Sequence, residues 1–180
     1  MDQPSTPKDM LTPRPCPHFD ERPQGCEPEL LVIHNISLPP ETFDTPYIDD
    51  FFGGRLDCSA HPYFAQLVGV RVSAHCVIFR DGRIWQYVPF AKRAWHAGLS
   101  EFAGRQKCND FSIGIELEGC DTLPFTDAQY KSLIALTQWL QQQYPAITKQ
   151  QIVGHQHIAP LRKTDPGPCF DWDRYLGALS

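Results

Sequence analysis

The hydrophobic pattern of the chain predicts several short strands. The run Leu30–Ile36, "LLVIHNI", is almost wholly apolar, which favours a strand buried on both faces. Residues Phe111–Gly119 alternate, with Phe111, Ile113, Ile115 and Leu117 on one side and polar or small residues on the other. Gln151–His155 has the pattern of a third short strand.

Turn and capping signals predict a hairpin and two helices. Within Cys76–Pro89, the dipeptide Asp81-Gly82 between two apolar runs favours a two-residue type I′ turn. Thr126 and Gln129 form a capping-box pattern, and a helical apolar spacing follows until Pro145. A closing helix is expected over Trp172–Leu179. Strands mixed with a long helix predict an α/β domain with a mixed sheet.

The chain of 180 residues is the length of one ordinary domain. Residues 1–28 are rich in proline and are predicted to be an irregular lead-in, so the domain is expected over residues 29–180. Residues 37–63 are predicted to be a long loop. A loop of that length is uncommon unless it serves function, for example as a flap over a substrate.

Composition narrows the class of function. Lys and Arg number 16 against 21 Asp and Glu, a net charge of −5, which argues against a general nucleic-acid binder. No apolar run resembles a secretory signal or approaches the ~20 residues of a membrane span. The seven cysteines are odd in number and contain no Cys-x-x-Cys pair, so we expect free thiols in a reducing compartment. A cytoplasmic protein is therefore the expectation, with a monomer as the default.

Two histidines and an aspartate are candidates for a metal site. His34 and His155 lie near the ends of predicted strands, and Asp165 follows in the proline-rich loop "RKTDPGP". Two imidazoles and one carboxylate with a fourth position open are the ligands of a catalytic zinc. Residue spacing alone is weak evidence for a metal site, because a lone strand histidine is more often a hydrogen-bonded core residue. His157 is an alternative to His155, since i and i+2 share a face in a strand.

Charged residues near these positions are candidates for acid–base chemistry. Glu116 lies on the polar side of its strand, where a carboxylate is costly unless it meets water, a cation or a metal. It is a candidate general base, or else a solvated carboxylate, and Glu118 faces the same way. Lys163 is a candidate for stabilising an oxyanion near Asp165, or else an ordinary surface lysine.

Three further residues are weaker candidates for substrate contacts. Trp95 is placed to stack on a sugar face or to pack over the edge of the core. Arg71 and Lys107 are candidates for binding carboxylates, but single basic residues carry little information.

The segments "LLVIHNISLPP", "HPYF", "RVSAHCVIFRDGRIWQYVPF", "RAWHAG", "CNDFSIGIELEG" and "GHQHIAPLRKTDPGPCFDW" together resemble the amidase_2 family of zinc amidases. The resemblance runs from about His18 to Trp172. It implies a mixed sheet flanked by helices, as in peptidoglycan recognition proteins, with one zinc per chain. The residues that it implies for the site are zinc ligands His34, His155 and Asp165, catalytic Glu116 and Lys163, and substrate contacts Asn35, Arg71, Trp95, Lys107 and Arg162.

The activity implied by this resemblance is hydrolysis of the amide between the lactyl group of 1,6-anhydro-N-acetylmuramic acid and L-alanine. Such a reaction belongs to cytoplasmic recycling of muropeptides, and it is linked to β-lactamase induction. Two alternatives are an envelope amidase acting on intact peptidoglycan and a module that binds muropeptides without cleaving them. Lys107 stands where the family is expected to have arginine, which weakens a bidentate carboxylate contact.

Overall fold

The computed structural model describes residues 7–180, and residues 1–6 of the predicted lead-in lie outside the described residues. The strands in this part of the chain are β1 Leu11–Pro13, β2 Phe19–Asp20, β3 Leu30–Ile36, β4 Cys76–Ile78, β5 Ile84–Gln86, β6 Arg93–Ala94, β7 Glu101–Phe102, β8 Arg105–Gln106, β9 Ser112–Glu118 and β10 Ile152–Gly154. The α-helices are α1 Pro7–Met10, α2 Tyr47–Phe52, α3 Asp127–Gln143, α4 His155–Ile158 and α5 Trp172–Gly177, and 3-10 turns cover Pro62–Leu67, Cys108–Asp110 and Lys149–Gln151.

A six-stranded mixed sheet in the order β1-β5-β4-β9-β3-β10 forms the centre of the fold, as the α/β prediction requires. β4, β9, β3 and β10 run parallel, whereas β4 and β5 are antiparallel. β3 and β9 pair over seven residues, from Leu30 opposite Ser112 to Ile36 opposite Glu118. These two central strands coincide with the two apolar segments, because strands buried on both faces need continuous apolar sequence.

One face of the sheet packs against the long helix α3. Ile33 of β3 and Ile115 of β9 meet Leu133 and Leu136 of the helix, and all four side chains are fully buried. The predicted capping box is confirmed. The Thr126 hydroxyl accepts from Gln129 N–H, and the Gln129 side chain accepts from Thr126 N–H. The helix therefore starts at a fixed residue and covers the face opposite the candidate site.

The predicted lead-in contributes to the sheet. β1 pairs in parallel with β5, so it forms one edge, and β2 pairs with β6. Residues 7–28 are thus not irregular throughout. The domain boundary at residue 29 stays a prediction.

The composition predicted a long loop over residues 37–63, but part of this segment is helical. It contains α2, whose Ile48 and Phe52 are buried against Phe64 and against Val77 of β4. Aromatic side chains supply enough apolar area to fold the segment onto the sheet. Leu38, Phe51 and Tyr63 of this part of the chain also line a cleft over the sheet.

The hairpin of β4 and β5 is confirmed, but its predicted two-residue turn is wrong. Ile78 pairs with Ile84, and Phe79 N–H donates to the Arg83 carbonyl at 3.0 Å. Among the turn residues Arg80, Asp81 and Gly82, only Gly82 has a positive φ, of 87°. A type I′ turn needs two such residues, so this connection is the three-residue type, which ends in one left-handed glycine.

No helix among residues 7–180 is both long and apolar enough to cross a membrane.

Candidate active site

The neighbouring parallel strands β9, β3 and β10 place polar residues side by side near their carboxyl ends. His34 of β3 lies directly opposite Glu116 of β9 in the strand register. On the other side of β3, Gly154 of β10 pairs with Ile33, so His155 follows beside His34. The carboxyl ends of parallel strands are where ligand sites form in α/β sheets, and this edge collects three of the predicted site residues.

His34, His155 and Asp165 converge with one atom each. The two Nδ1 atoms lie 3.0 Å apart, and Asp165 Oδ2 lies 3.1 Å from His34 Nδ1 and 3.2 Å from His155 Nδ1. Both histidines are buried. His155 Nε2–H donates to the Ala97 carbonyl at 3.1 Å, so Nδ1 is the ring nitrogen that faces the other two atoms.

This geometry fits a tetrahedral metal ion. Two ligands that are each about 2.0–2.2 Å from a tetrahedral zinc lie roughly 3.3–3.6 Å apart, close to the separations found here. Burial lowers the pKa of His34 to about 4, so its ring is neutral at pH 7. Burial opposes ionisation of Asp165, but the two histidines outweigh it and hold its pKa well below the usual range. Two imidazoles and a carboxylate are the donor set of catalytic zinc.

Glu116 presents a carboxylate that is short of partners beside this triad. Its Oε2 is buried and has no hydrogen-bond partner among residues 7–180. Burial raises the pKa of Glu116 well above its usual range, Asp165 raises it further, and Lys163 lowers it. Leaving a buried polar atom without a hydrogen-bond partner costs free energy. This oxygen is therefore a candidate to bind a water molecule, an ion or a substrate group.

Glu118, the alternative left open by the strand pattern, is committed to structure. Its Oε1 accepts from Asp44 N–H at 2.8 Å, and its Oε2 accepts from Arg80 N–H at 3.0 Å. Only 2% of its surface is exposed. Glu118 therefore ties two loops to the end of β9, and Glu116 is the carboxylate that faces the cleft.

The loop that carries Lys163 and Asp165 is held by a hydrogen-bond network. Asn35 Nδ2–H donates to Asp121 Oδ1 at 2.7 Å and to the Pro166 carbonyl at 3.1 Å. Thr164 Oγ1–H donates to the other oxygen of Asp121 at 2.5 Å. Asp121 and Asn35 therefore hold the loop on both sides of Asp165, and both of them line the cleft.

The cleft over the triad has a volume of about 680 Å³, within the usual range for small-molecule sites. It is lined by His34, Asn35, Trp95, Glu116, His155, Arg162, Lys163 and Asp165, so eight of the ten predicted site residues meet there.

The other two predicted contacts lie just outside the cleft. Arg71 lines a small hollow that shares Trp95 with the cleft, and Lys107 lines one that shares Arg162. Lys107 also has a left-handed backbone, with φ of 59°. Within the described chain, Arg162 Nη2–H donates to the carbonyls of Ala97 and Leu99, so part of its guanidinium is used to hold that loop.

The predicted strand Gln151–His155 is shorter than expected, which removes the ambiguity between His155 and His157. β10 ends at Gly154, and His155 begins the helical turn α4. His157 is exposed, its Nδ1 accepts from Gly154 N–H at 2.8 Å, and its ring lies against Trp172. The i and i+2 side chains of a helical turn point in different directions, so His157 does not reach the triad.

Two residues that contact the site were not selected from the sequence. His96 lies behind His34, with its Nδ1 2.9 Å from His34 Nε2, and Asp121 holds the Asp165 loop. Nothing in their local sequence separates them from other polar residues. Their positions depend on contacts between segments that are 62 and 43 residues apart.

Comparison with known proteins identifies the family. The Amidase_2 model, described as N-acetylmuramoyl-L-alanine amidase, matches residues 24–168. The chain belongs to the N-acetylmuramoyl-L-alanine amidase family. Curated relatives named 1,6-anhydro-N-acetylmuramyl-L-alanine amidase AmpD are 62% identical in Haemophilus influenzae, over 91% of this chain and 89% of that one. The protein of that name in Escherichia coli is also 62% identical, over 92% and 90%.

Solved structures of this amidase family have the same fold. A crystal structure of a selenomethionine AmpD derivative matches with a TM-score of 0.92 at 58% identity, over 95% of each chain. An Escherichia coli amidase, AmiD, solved with anhydro-N-acetylmuramic acid-L-Ala-D-γ-Glu-L-Lys, matches with a TM-score of 0.63 at 31% identity, over 89% of this chain and 65% of that one. The resemblance stated from the sequence motifs and the mixed α/β fold are both confirmed.

Proposed function

We propose that this amidase hydrolyses the bond between the lactyl group of 1,6-anhydro-N-acetylmuramic acid and L-alanine of the stem peptide, with one zinc ion per chain. The observation that carries the proposal is the convergence of His34, His155 and Asp165 beside the partnerless Glu116 carboxylate at the base of the cleft. The names of the relatives at 62% identity support the anhydro substrate.

His34 Nδ1, His155 Nδ1 and Asp165 Oδ2 are the atoms that would hold the metal. A zinc ion there supplies Lewis-acid chemistry, because it lowers the pKa of a water molecule and polarises a carbonyl oxygen. Among residues 7–180, three protein atoms converge there, as expected of a catalytic site rather than a closed structural one.

Glu116 is the general base and acid in this proposal. Burial raises the pKa of Glu116, which favours uptake of a proton by this carboxylate. Oε2 has no hydrogen-bond partner in the described part of the chain, so it is available to take a proton from the attacking water. The same oxygen then delivers the proton to the nitrogen of the leaving L-alanine, which makes the amine a stable leaving group.

Lys163 provides a positive charge at the same wall of the cleft. Its side chain is half-buried, and its charge lowers the pKa of Glu116 and of His34. Since negative charge develops on the amide oxygen during attack by water, an ammonium group there stabilises that oxygen more in the transition state than in the substrate.

Asn35, Trp95 and Arg162 are proposed as substrate contacts within the cleft, and Arg71 and Lys107 as contacts at its edges. The Trp95 indole is half-buried and is held by its Nε1–H, which donates to Asp20 at 3.1 Å. A fixed aromatic ring of this kind suits a sugar face. The basic side chains suit the carboxylates of a stem peptide.

We also propose that the enzyme works in the cytoplasm as a monomer, in muropeptide recycling. All seven cysteines are free thiols in the structure, which suits a reducing compartment. Recycling of anhydromuropeptides links the proposed activity to control of β-lactamase induction. That link is testable by expressing the chain in a host that lacks its own recycling amidase.

The test of the substrate is a comparison of purified anhydromuramyl-tripeptide with its non-anhydro counterpart and with intact peptidoglycan. The proposal predicts release of tripeptide fastest from the anhydro compound. Faster cleavage of the polymer would support an envelope amidase instead. Binding without turnover by zinc-loaded protein would support a muropeptide-binding module.

A further inference from the structure

Three buried side chains are connected by hydrogen bonds that start at the proposed metal ligand His34 and lead away from the triad. His34 Nε2, the nitrogen that points away from the triad, lies 2.9 Å from His96 Nδ1. His96 Nε2 in turn lies 3.0 Å from Ser112 Oγ. His34 and Ser112 are almost completely buried, and His96 is 8% exposed. His96 is therefore the partner that the structure gives to the outer nitrogen of His34.

The surrounding chain holds the His96 ring in this place. Asn109 Oδ1 accepts from the backbone N–H groups of His96 and Ala97, at 3.1 and 2.8 Å. The ring lies over Gly114 of β9, where an added Cβ would be only 2.4 Å from His96 Cγ. A side chain at position 114 would displace the ring, so glycine there provides the space for it.

The proton positions follow from the chemistry of the rings. A histidine that offers Nδ1 to a metal as a neutral imidazole carries its one proton on Nε2. That N–H needs an acceptor, and the atom it meets is His96 Nδ1. His96 then carries its own proton on Nε2, which donates to Ser112 Oγ.

We infer that His96, oriented by Ser112 and by the space over Gly114, is a positioning residue that fixes the ring and the tautomer of the metal ligand His34. His96 does not reach the triad itself. It acts by accepting the Nε2 proton, which leaves the Nδ1 lone pair of His34 directed at the metal. Outer partners of metal-bound histidines are usually carboxylates, carbonyls or water. Here a neutral imidazole performs that role.

Zinc affinity tests the inference without any measurement of activity. His96→Phe keeps an aromatic ring over Gly114 and removes the acceptor, so the zinc dissociation constant is expected to rise about 10–100-fold. His96→Asn places an acceptor oxygen near the position of Nδ1 and is expected to bind zinc more tightly than His96→Phe. His157→Gln is the matched control, because it changes a histidine on the same turn as His155 and keeps an acceptor for the Gly154 N–H. Its affinity is expected to be unchanged.

The dissociation constants come from competition with a chelator, and the unfolding midpoint of each metal-free variant is measured in parallel. Should His96→Phe fold poorly, Ser112→Ala is the second variant, with a smaller loss of affinity in the same direction. His96→Phe with the affinity of the unsubstituted protein and an unchanged midpoint would overturn the inference.

Ring-nitrogen NMR of zinc-loaded protein with labelled histidine gives a second, direct readout. The inference predicts that His96 carries its proton on Nε2 and none on Nδ1. A proton on His96 Nδ1 would overturn it. The inference rests on the proposed metal site, but the experiments can refute the metal site and the role of His96 independently. If the unsubstituted protein binds no zinc, the site is wrong, whereas normal zinc binding with His96→Phe unaffected refutes only the role of His96.

Discussion

Substitution of Glu116 and Glu118 by glutamine, one at a time, should separate chemistry from stability. The two carboxylates lie two residues apart on β9 and face the same side of the sheet. Glu116 Oε2 has no partner, whereas both oxygens of Glu118 accept backbone N–H groups from distant loops. The same chemical change therefore has different physical consequences at the two positions.

The size of each effect follows from these contacts. Glu116→Gln removes the proposed proton acceptor, and general acid–base catalysis contributes about 10²–10⁴-fold to rate. The loss corresponds to roughly 3–5 kcal/mol in the activation barrier. Unfolding free energy should not fall, because burial already disfavours the Glu116 carboxylate. Glu118→Gln replaces an acceptor by an NH₂ group that faces a backbone N–H, which costs about 1–3 kcal/mol of stability.

Turnover of anhydromuramyl-tripeptide, zinc content and urea unfolding of the metal-free protein are measured for both variants. We expect Glu116→Gln to be stable, zinc-loaded and slow. We expect Glu118→Gln to be less stable but nearly as fast per folded molecule. A fast Glu116→Gln together with a stable, inactive Glu118→Gln would refute the assignment of the base.

Three further substitutions test the fold and the loop that carries the proposed metal ligand Asp165. Hydrogen bonds, from Arg14 first, outweigh burial and lower the pKa of Asp49. The ionised Asp49 carboxylate therefore contributes to the free energy of unfolding above its unfolded pKa of about 3.9. This contribution is lost as pH falls through the lower pKa of the folded state. Asp49→Asn should lower the free energy of unfolding by about 1.5–3 kcal/mol at pH 7. Urea unfolding should show that the difference from the unsubstituted protein becomes smaller in acid. Gly82→Ala should lower the unfolding free energy by about 1 kcal/mol or more, because its φ is 87° and its Cβ would lie 2.9 Å from a helix carbonyl. Asp121→Ala should weaken zinc binding, because it frees one side of the Asp165 loop, and unchanged affinity in chelator competition would contradict that role.

Local sequence was enough to predict the elements that form the centre of the fold. The strand Leu30–Ile36 and the start of α3 at the Thr126 capping box agree with the structure, because continuous apolar runs and caps act over a few residues. The hairpin was also predictable. Its turn type was not, because Asp81-Gly82 is compatible with both two-residue and three-residue turns.

The arrangement of the site depended on contacts between distant segments. The register that sets His34 opposite Glu116 joins strands some 80 residues apart, and no local pattern specifies it. The choice of Glu116 over Glu118 depends on backbone groups at Asp44 and Arg80, which are far away in sequence. The resemblance to the amidase family supplied the residue roles that spacing alone left open.

The most direct test of the central claim is cleavage of anhydromuramyl-tripeptide by the same sample before chelation, after chelation and after addition of zinc. The account predicts release of free tripeptide with about one zinc per chain, loss of activity on chelation, and recovery when zinc returns. Full cleavage by metal-free protein, or no cleavage by protein that holds one zinc at His34, His155 and Asp165, would contradict it.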